Sequence, residues 1–262
     1  MRRIFLFVIL AVLILSGCNK QTQNHTIPNP TFVIKKTPTP FIPQLRPDIS
    51  PPNIIFQPSV KHTLAELSVI NYQQEDSPAK NHINQAKEKL GKGEFHEAMG
   101  IFLSAAKKDK NNAEVFFWLG MLAPILEGSD TTEISNLAIL SLDFAIQKNK
   151  SEQKIIAMYA FRQRGIFQML YKNNYPGAVN DFTECILLGP GKEKTIPIFF
   201  QIAYINRGIA HENLSEMSEA LQDYKIAREL AIISPMSGLL PGIEQRIKMI
   251  EQNTSPRRYA PI

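Results

Sequence analysis

Alanine returns at nearly fixed intervals along the C-terminal two-thirds of this chain. Ala98, Ala138, Ala178 and Ala220 are spaced by 40, 40 and 42 residues. Four residues after each stands Phe102, Leu142, Phe182 or Tyr224, and seven after each stands Ala105, Ala145, Cys185 or Ala227. A step of four and then three puts all three side chains on one face of a helix. Upstream of each such helix lies a second, with a small residue at Ala86, Gly120, Gly165 or Gly208. Glycine inside a helix costs about 1 kcal/mol relative to alanine, so its recurrence marks close approach of two helices. Turn signals divide the pairs: Gly91-Lys92-Gly93, Gly128-Ser129-Asp130, and Asn173-Asn174 before Tyr175-Pro176. Each unit is therefore predicted to be a helical hairpin. A lone hairpin cannot bury its apolar face, so four in series predict an all-α solenoid.

The segments Gly93-Glu94-Phe95-His96-Glu97-Ala98, Asn180-Asp181-Phe182-Thr183 and Asn206-Arg207-Gly208-Ile209-Ala210, the last running on through Ala220, Tyr224 and Ala227, resemble tetratricopeptide (TPR) repeats. The resemblance covers about residues 79–235 and is best in the fourth unit. Repeats of that family run 34 residues, whereas these run 40 to 42. Extra residues are expected around positions 125–132, 189–197 and 232–235, and a Sel1-like variant with longer units stays open. Beyond them, Leu239, Leu240, Ile243, Ile247 and Ile250 alternate with Glu244, Arg246 and Lys248, an amphipathic pattern expected to cap the last hairpin.

The N-terminus is an address. Arg2 and Arg3 precede an apolar run over residues 4–15, too short for a bilayer span of about 20 residues but of the length of a signal-peptide core. It closes on Leu15-Ser16-Gly17-Cys18, which resembles a bacterial lipoprotein signal. The resemblance implies cleavage before Cys18, acylation of its sulfur and tethering to the bacterial cell membrane without a span. In a Gram-negative cell, Asn19 after the cysteine implies the outer membrane, facing the periplasm. Nine of the 18 prolines then fall between Asn19 and Ser59, which excludes helix interior and central strand and reads as an extended tether. The expected organisation is a signal over 1–17, a tether over 18–60, a lead-in segment over 61–76, the TPR-like domain over 77–252 and a tail over 253–262. Within the lead-in, Thr63-Leu64-Ala65-Glu66 has the form of a capping box that starts a short helix. Ser77-Pro78 offers a start to the first hairpin.

Net charge of +5 suggests an anionic partner until the charges are located. Residues 77–255 carry 20 basic and 20 acidic side chains. The expected partners therefore include no nucleic acid, which needs a positive excess to displace counterions from phosphate. Histidines at 25, 62, 82, 96 and 211 lack metal-ligand spacing. Gly189-Pro190-Gly191-Lys192 lacks the spacing of a phosphate loop and puts proline where an N–H must donate, so it reads as a turn. Cys185 takes an alanine position on its helix and is expected to be a packed, inert thiol with no disulfide partner once Cys18 is acylated. No metal, cofactor or catalytic residue is expected, and the chain reads as non-enzymatic.

Binding remains. In TPR proteins ligands lie in a concave groove lined by first helices. Carried onto this chain, the resemblance implies a lining of Lys80, Ile83 and Lys87; Glu114, Phe117 and Met121; Tyr159, Arg162 and Ile166; and Ile202, Ile205 and Ile209. Such a groove wants an amphipathic helix or an extended peptide, with Arg162 pairing an acidic group on it. For each side chain the alternative is packing between repeats or under the lead-in segment. The function this implies is a membrane-anchored adaptor recruiting a protein or peptide partner, or helping assemble envelope complexes. The alternative is a self-associating scaffold or pilot component of an outer-membrane assembly.

Overall fold

The computed structural model describes residues 57–69, 76–127, 132–149, 154–189, 197–233 and 239–254. The signal and Cys18, the tether, the turn at Gly128-Ser129-Asp130, residues 190–196 and 234–238, and the tail with Arg257 and Arg258 lie outside them. The described residues form ten helices and no strand. They are α1 (Val60–Val69), α2 (Lys80–Lys92), α3 (Phe95–Lys108), α4 (Ala113–Glu127), α5 (Thr132–Lys148), α6 (Ile155–Lys172), α7 (Tyr175–Leu187), α8 (Pro197–Asn213), α9 (Met217–Ile233) and α10 (Leu240–Thr254).

Each of α2 to α10 packs on its neighbour in sequence, and the first helices α4, α6 and α8 also pack on one another. The fold is a TPR-like solenoid of four helical hairpins, α2/α3, α4/α5, α6/α7 and α8/α9, closed by α10. The recurring small residues are its contacts. A Cβ on Gly120 would stand 2.9 Å from Leu142, one on Gly165 3.0 Å from Phe182 and one on Gly208 2.8 Å from Tyr224. The glycine of each first helix thus meets the large residue four positions beyond the alanine of its second helix. Ala86 and Phe102, the corresponding residues of the first hairpin, are both fully buried.

Three hairpin turns share one device, a left-handed residue after the first helix. Gly93 (φ 81) and Glu94 donate their N–H groups to the carbonyls of Leu90 and Lys89, closing α2 in a Schellman turn. Asn173 (φ 49) occupies the equivalent position after α6, and Asn174 Oδ1 accepts from Gly177 N–H to cap α7. The fourth turn places Ser215 at φ 63, with no glycine or asparagine to announce it in the sequence.

Three sequence expectations shift. The lead-in helix starts at Val60 and is capped by Ser59, whose Oγ accepts from His62 N–H and whose carbonyl accepts from Thr63 N–H, so Thr63 and Glu66 lie inside α1 and do not form its cap. Ser77 accepts from Ala79 N–H, but this closes a turn through Pro78 and Ala79, and α2 begins at Lys80. The residues beyond a 34-residue period also do not fall in loops alone: α5, α6, α8 and α9 run 17, 18, 17 and 17 residues, and α4 continues through Pro124 to Glu127. The closing helix is as read, with Ile243, Ile247 and Ile250 buried. Arg246 on α10 donates to Glu212 at 2.8 Å.

Candidate binding groove

Aromatic rings run from Phe102 on the second helix of the first hairpin along the first helices of the other three. Phe102 and Trp118 centroids are 6.2 Å apart, Trp118 and Phe117 5.0 Å, Phe117 and Tyr159 6.2 Å, Tyr159 and Phe199 4.5 Å, and Phe199 and Phe200 5.0 Å. Arg162 lies on this row. Its guanidinium carbon is 4.0 Å from the Phe199 centroid and 5.1 Å from that of Tyr159, within cation–π range.

Arg162 is only 1% exposed, and its charge is met from 96 residues away. Nη2 donates to Oε2 of Glu66 at 2.9 Å and Nη1 to Oε1 at 3.3 Å, the fork geometry that guanidinium and carboxylate share. Glu66 belongs to α1, where it is buried together with Val60, Thr63 and Leu67. These positions recur at three- and four-residue steps and form the inward stripe of a short amphipathic helix. His62 Nε2 stands 3.4 Å from Glu66 Oε1. Burial works to raise the Glu66 carboxyl, but the charge of Arg162 and the hydrogen bonds of His62 and Arg162 outweigh it and hold the group below its usual 4.5. Burial, then the charge of Glu66, pushes the Tyr159 phenol upward.

Of the twelve residues expected to line the groove, ten are buried, Lys87 is half-buried and Lys80 is exposed. Phe117, Ile166 and Ile209 are fully enclosed, Tyr159, Arg162 and Ile205 nearly so, and Met121 and Ile202 are 3% and 6% exposed. The structure brings Phe117, Tyr159 and Arg162 together through the aromatic row. The acidic group that Arg162 meets belongs to this chain's own α1. Sequence reading missed Glu66 as its partner, having placed it in a cap. In the first two hairpins Lys87 Nζ lies 3.0 Å from Glu114 Oε1, Ile83 is fully buried and exposed Lys80 pairs with Asp76.

Several buried polar atoms on α1, α6 and α8 are unpaired. Arg162 Nε, Tyr159 OH, Gln163 Nε2, both amide atoms of Gln201 and, on α1, Thr63 Oγ1 are buried without a hydrogen-bond partner. A buried donor or acceptor left unpaired costs about 1–3 kcal/mol. A buried ion pair roughly balances its own desolvation, so α1 is held chiefly by the burial of Val60 and Leu67, at about 1.5–3 kcal/mol each.

A second polar arrangement escaped the sequence reading. Arg164 donates to both carboxylate oxygens of Asp181, at 3.0 and 2.5 Å, and to Asp143 of the preceding hairpin at 2.5 Å. One unit on, Arg207 donates to both oxygens of Asp223, at 2.9 and 2.7 Å, and to Thr183 of the preceding hairpin at 3.1 Å. Each arginine lies over an aromatic ring three residues earlier, Phe161 or Tyr204. The signal was legible as Phe/Tyr-x-x-Arg-Gly in the first helix and Asp-Phe/Tyr in the second. It clips neighbouring hairpins together rather than building a ligand site.

Cys185 is fully buried, and burial above all pushes its thiol up to about 12, so it is a poor nucleophile. Among the described residues no group of three or more His, Cys, Asp or Glu side chains is arranged to hold a metal ion, and no helix is long and apolar enough to cross a membrane.

Fold and leader together define the class: a TPR-like helical solenoid carrying a prokaryotic membrane lipoprotein lipid attachment site, whose family model matches residues 1–19, with Cys18 near the end of the match. Among solved structures the chain is similar to the crystal structure of MamA protein, at 17% identity over 70% of this chain and 97% of that one, with a TM-score of 0.45. It is also similar to MamA 41-end from Desulfovibrio magneticus RS-1, at 15% identity over 67% of this chain and 94% of that one, with a TM-score of 0.46. No curated protein sequence matches the chain.

Proposed function

We propose that this chain is a non-enzymatic adaptor, anchored through acylated Cys18 in a bacterial cell envelope, that recruits a protein partner with its solenoid. In a Gram-negative cell the anchor lies in the outer membrane and the solenoid faces the periplasm. The observation that carries the reading is α1 itself. A short amphipathic helix contributes a carboxylate to Arg162 within the aromatic row, and that is the chemistry a solenoid groove offers to a partner segment.

Photocrosslinking from the full chain in cells tests it, comparing wild type with Arg162→Lys, which keeps the charge and removes the fork. Loss of most captured partner in the variant, at unchanged helical circular dichroism, is expected. Capture of the same partners in the same amounts would exclude this groove as the recruiting surface. A complex containing only copies of this chain would favour a structural scaffold instead.

A further inference from the structure

We propose that α1 is a self-ligand: it occupies the groove around Arg162 in place of a partner, and a protein carrying an amphipathic helix with a carboxylate anchor binds by displacing it. The inference rests on the adaptor reading above and names the partner's chemistry and the step that admits it.

Three observations carry it. First, α1 stands outside the repeat. The four hairpins and α10 stack in unbroken sequence from α2 onward without it, and its ion pair reaches across 96 residues to the third hairpin. Removing α1 therefore leaves every hairpin with its neighbour. Second, the seat and the occupant are mismatched. Arg162 Nε and Tyr159 OH, beside the ion pair, are unpaired on the third hairpin, and Thr63 Oγ1 is unpaired on α1. A segment that supplies acceptors and donors to these atoms gains hydrogen bonds that α1 forgoes. Third, the selection chemistry is already displayed. A guanidinium stacked on Phe199 at 4.0 Å and aimed at a planar carboxylate prefers Glu or Asp on the incoming helix, flanked by apolar residues at the spacing of Val60, Thr63 and Leu67. Because α1 is joined to α2 by a short stretch of chain, its effective concentration is in the millimolar range. Weak intrinsic affinity therefore suffices to keep the groove covered, and a partner's apparent affinity falls in proportion to the covered fraction.

The test uses the full lipid-anchored chain in detergent micelles and a fluorescein-labelled synthetic peptide of residues 57–69, read by fluorescence anisotropy. Two uncovering variants are compared with wild type: Glu66→Lys, which sets like charges face to face, and Leu67→Asp, which removes apolar burial and leaves the pair intact. Both are expected to bind the peptide roughly tenfold or more tighter than wild type, since the covering segment no longer competes. A peptide with Gln in place of Glu66 is expected to bind about tenfold more weakly to either variant. The proposal is overturned if variants that keep wild-type helicity and a cooperative melt bind no peptide. It is equally overturned if wild type binds as tightly as they do, or if wild type dimerises through α1 and Leu67→Asp abolishes the dimer. Failure of the peptide experiment while in-cell capture still depends on Arg162 would remove the self-ligand and leave the adaptor. A capture indifferent to Arg162, with gated peptide binding, would do the reverse.

Discussion

Gly208 and Tyr224 are in contact at the limit of what two helices allow: a methyl on Gly208 would sit 2.8 Å from Cε1 of the ring. The same pairing holds Gly165 against Phe182, at 3.0 Å, and Gly120 against Leu142 and the Ala138 carbonyl, at 2.9 and 3.0 Å. Alanine gains about 1 kcal/mol of helix propensity, but overpacking costs about 1–3 kcal/mol, and the second term wins where backbone is among the neighbours. Gly120→Ala is expected to destabilise by about 1–2 kcal/mol, while Gly100→Ala, where a Cβ meets nothing, stabilises by about 0.5–1 kcal/mol. Urea unfolding followed by circular dichroism gives both numbers, and equal signs would refute the contact.

Ser215 holds the turn between α8 and α9 at φ 63, a conformation that costs most L-residues about 1–2 kcal/mol. Gly93 takes the same place in the first hairpin at no such cost. Ser215→Gly is therefore expected to be neutral to stabilising by up to about 1 kcal/mol, even though glycine loosens the unfolded chain. A raised unfolding midpoint with unchanged slope in urea checks it.

The Tyr159 hydroxyl is buried with no partner. Tyr159→Phe removes the unpaired group and keeps the ring between Phe117 and Phe199, so stability should be unchanged or rise by about 1 kcal/mol. A loss above about 1 kcal/mol in urea unfolding would mean that the hydroxyl is bonded in solution.

Acid should release α1 before the hairpins. Glu66 is held below its usual 4.5 in the folded chain, so its contribution is fully present above that value and disappears as pH falls through the lower, folded one. Below it, Arg162 keeps its charge in a buried site with no anion. Hydrogen exchange between pH 5 and 3 is expected to show α1 amides losing protection ahead of those in α6 and α8, and simultaneous loss would show that the pair does not set the order.

Asp181 is 3% exposed, and Arg164 binds both of its oxygens. Asp181→Ala leaves Arg164 with Asp143 alone and is expected to cost about 2–4 kcal/mol, near the value for breaking a buried pair. Asp223→Ala should cost a similar amount through Arg207, and because the two clips share no residue their effects should add.

The solenoid was legible because its evidence is local and repeated. Alanines every forty residues, a large side chain four further on and a glycine upstream each specify one contact, and that contact is made in the second, third and fourth hairpins. What escaped has a physical reason in each case. The Glu66 to Arg162 pair joins residues 96 apart, and no periodicity connects an appended helix to a repeat. The start of α1 was misplaced because Thr63-Leu64-Ala65-Glu66 satisfies the capping pattern as well as Pro58-Ser59 does, and only burial of Thr63 and Glu66 decides between them. The turn at Ser215 lacked a glycine because the chain tolerates a strained serine there. Phe117, Tyr159 and Arg162 were legible as one set on the first helices, but the α1 helix that meets Arg162 was not, since an apolar lining reads alike whether it awaits a partner or packs within the chain.

Trp118 is the sole tryptophan of the chain, and it stacks on Phe102 at the seam between the first two hairpins. Intrinsic emission excited at the red edge thus watches one joint of the solenoid and is silent about its far end. A fluorescence melt that precedes the circular dichroism melt would reveal unravelling from the N-terminal hairpins, turning an accident of composition into a built-in directional gauge.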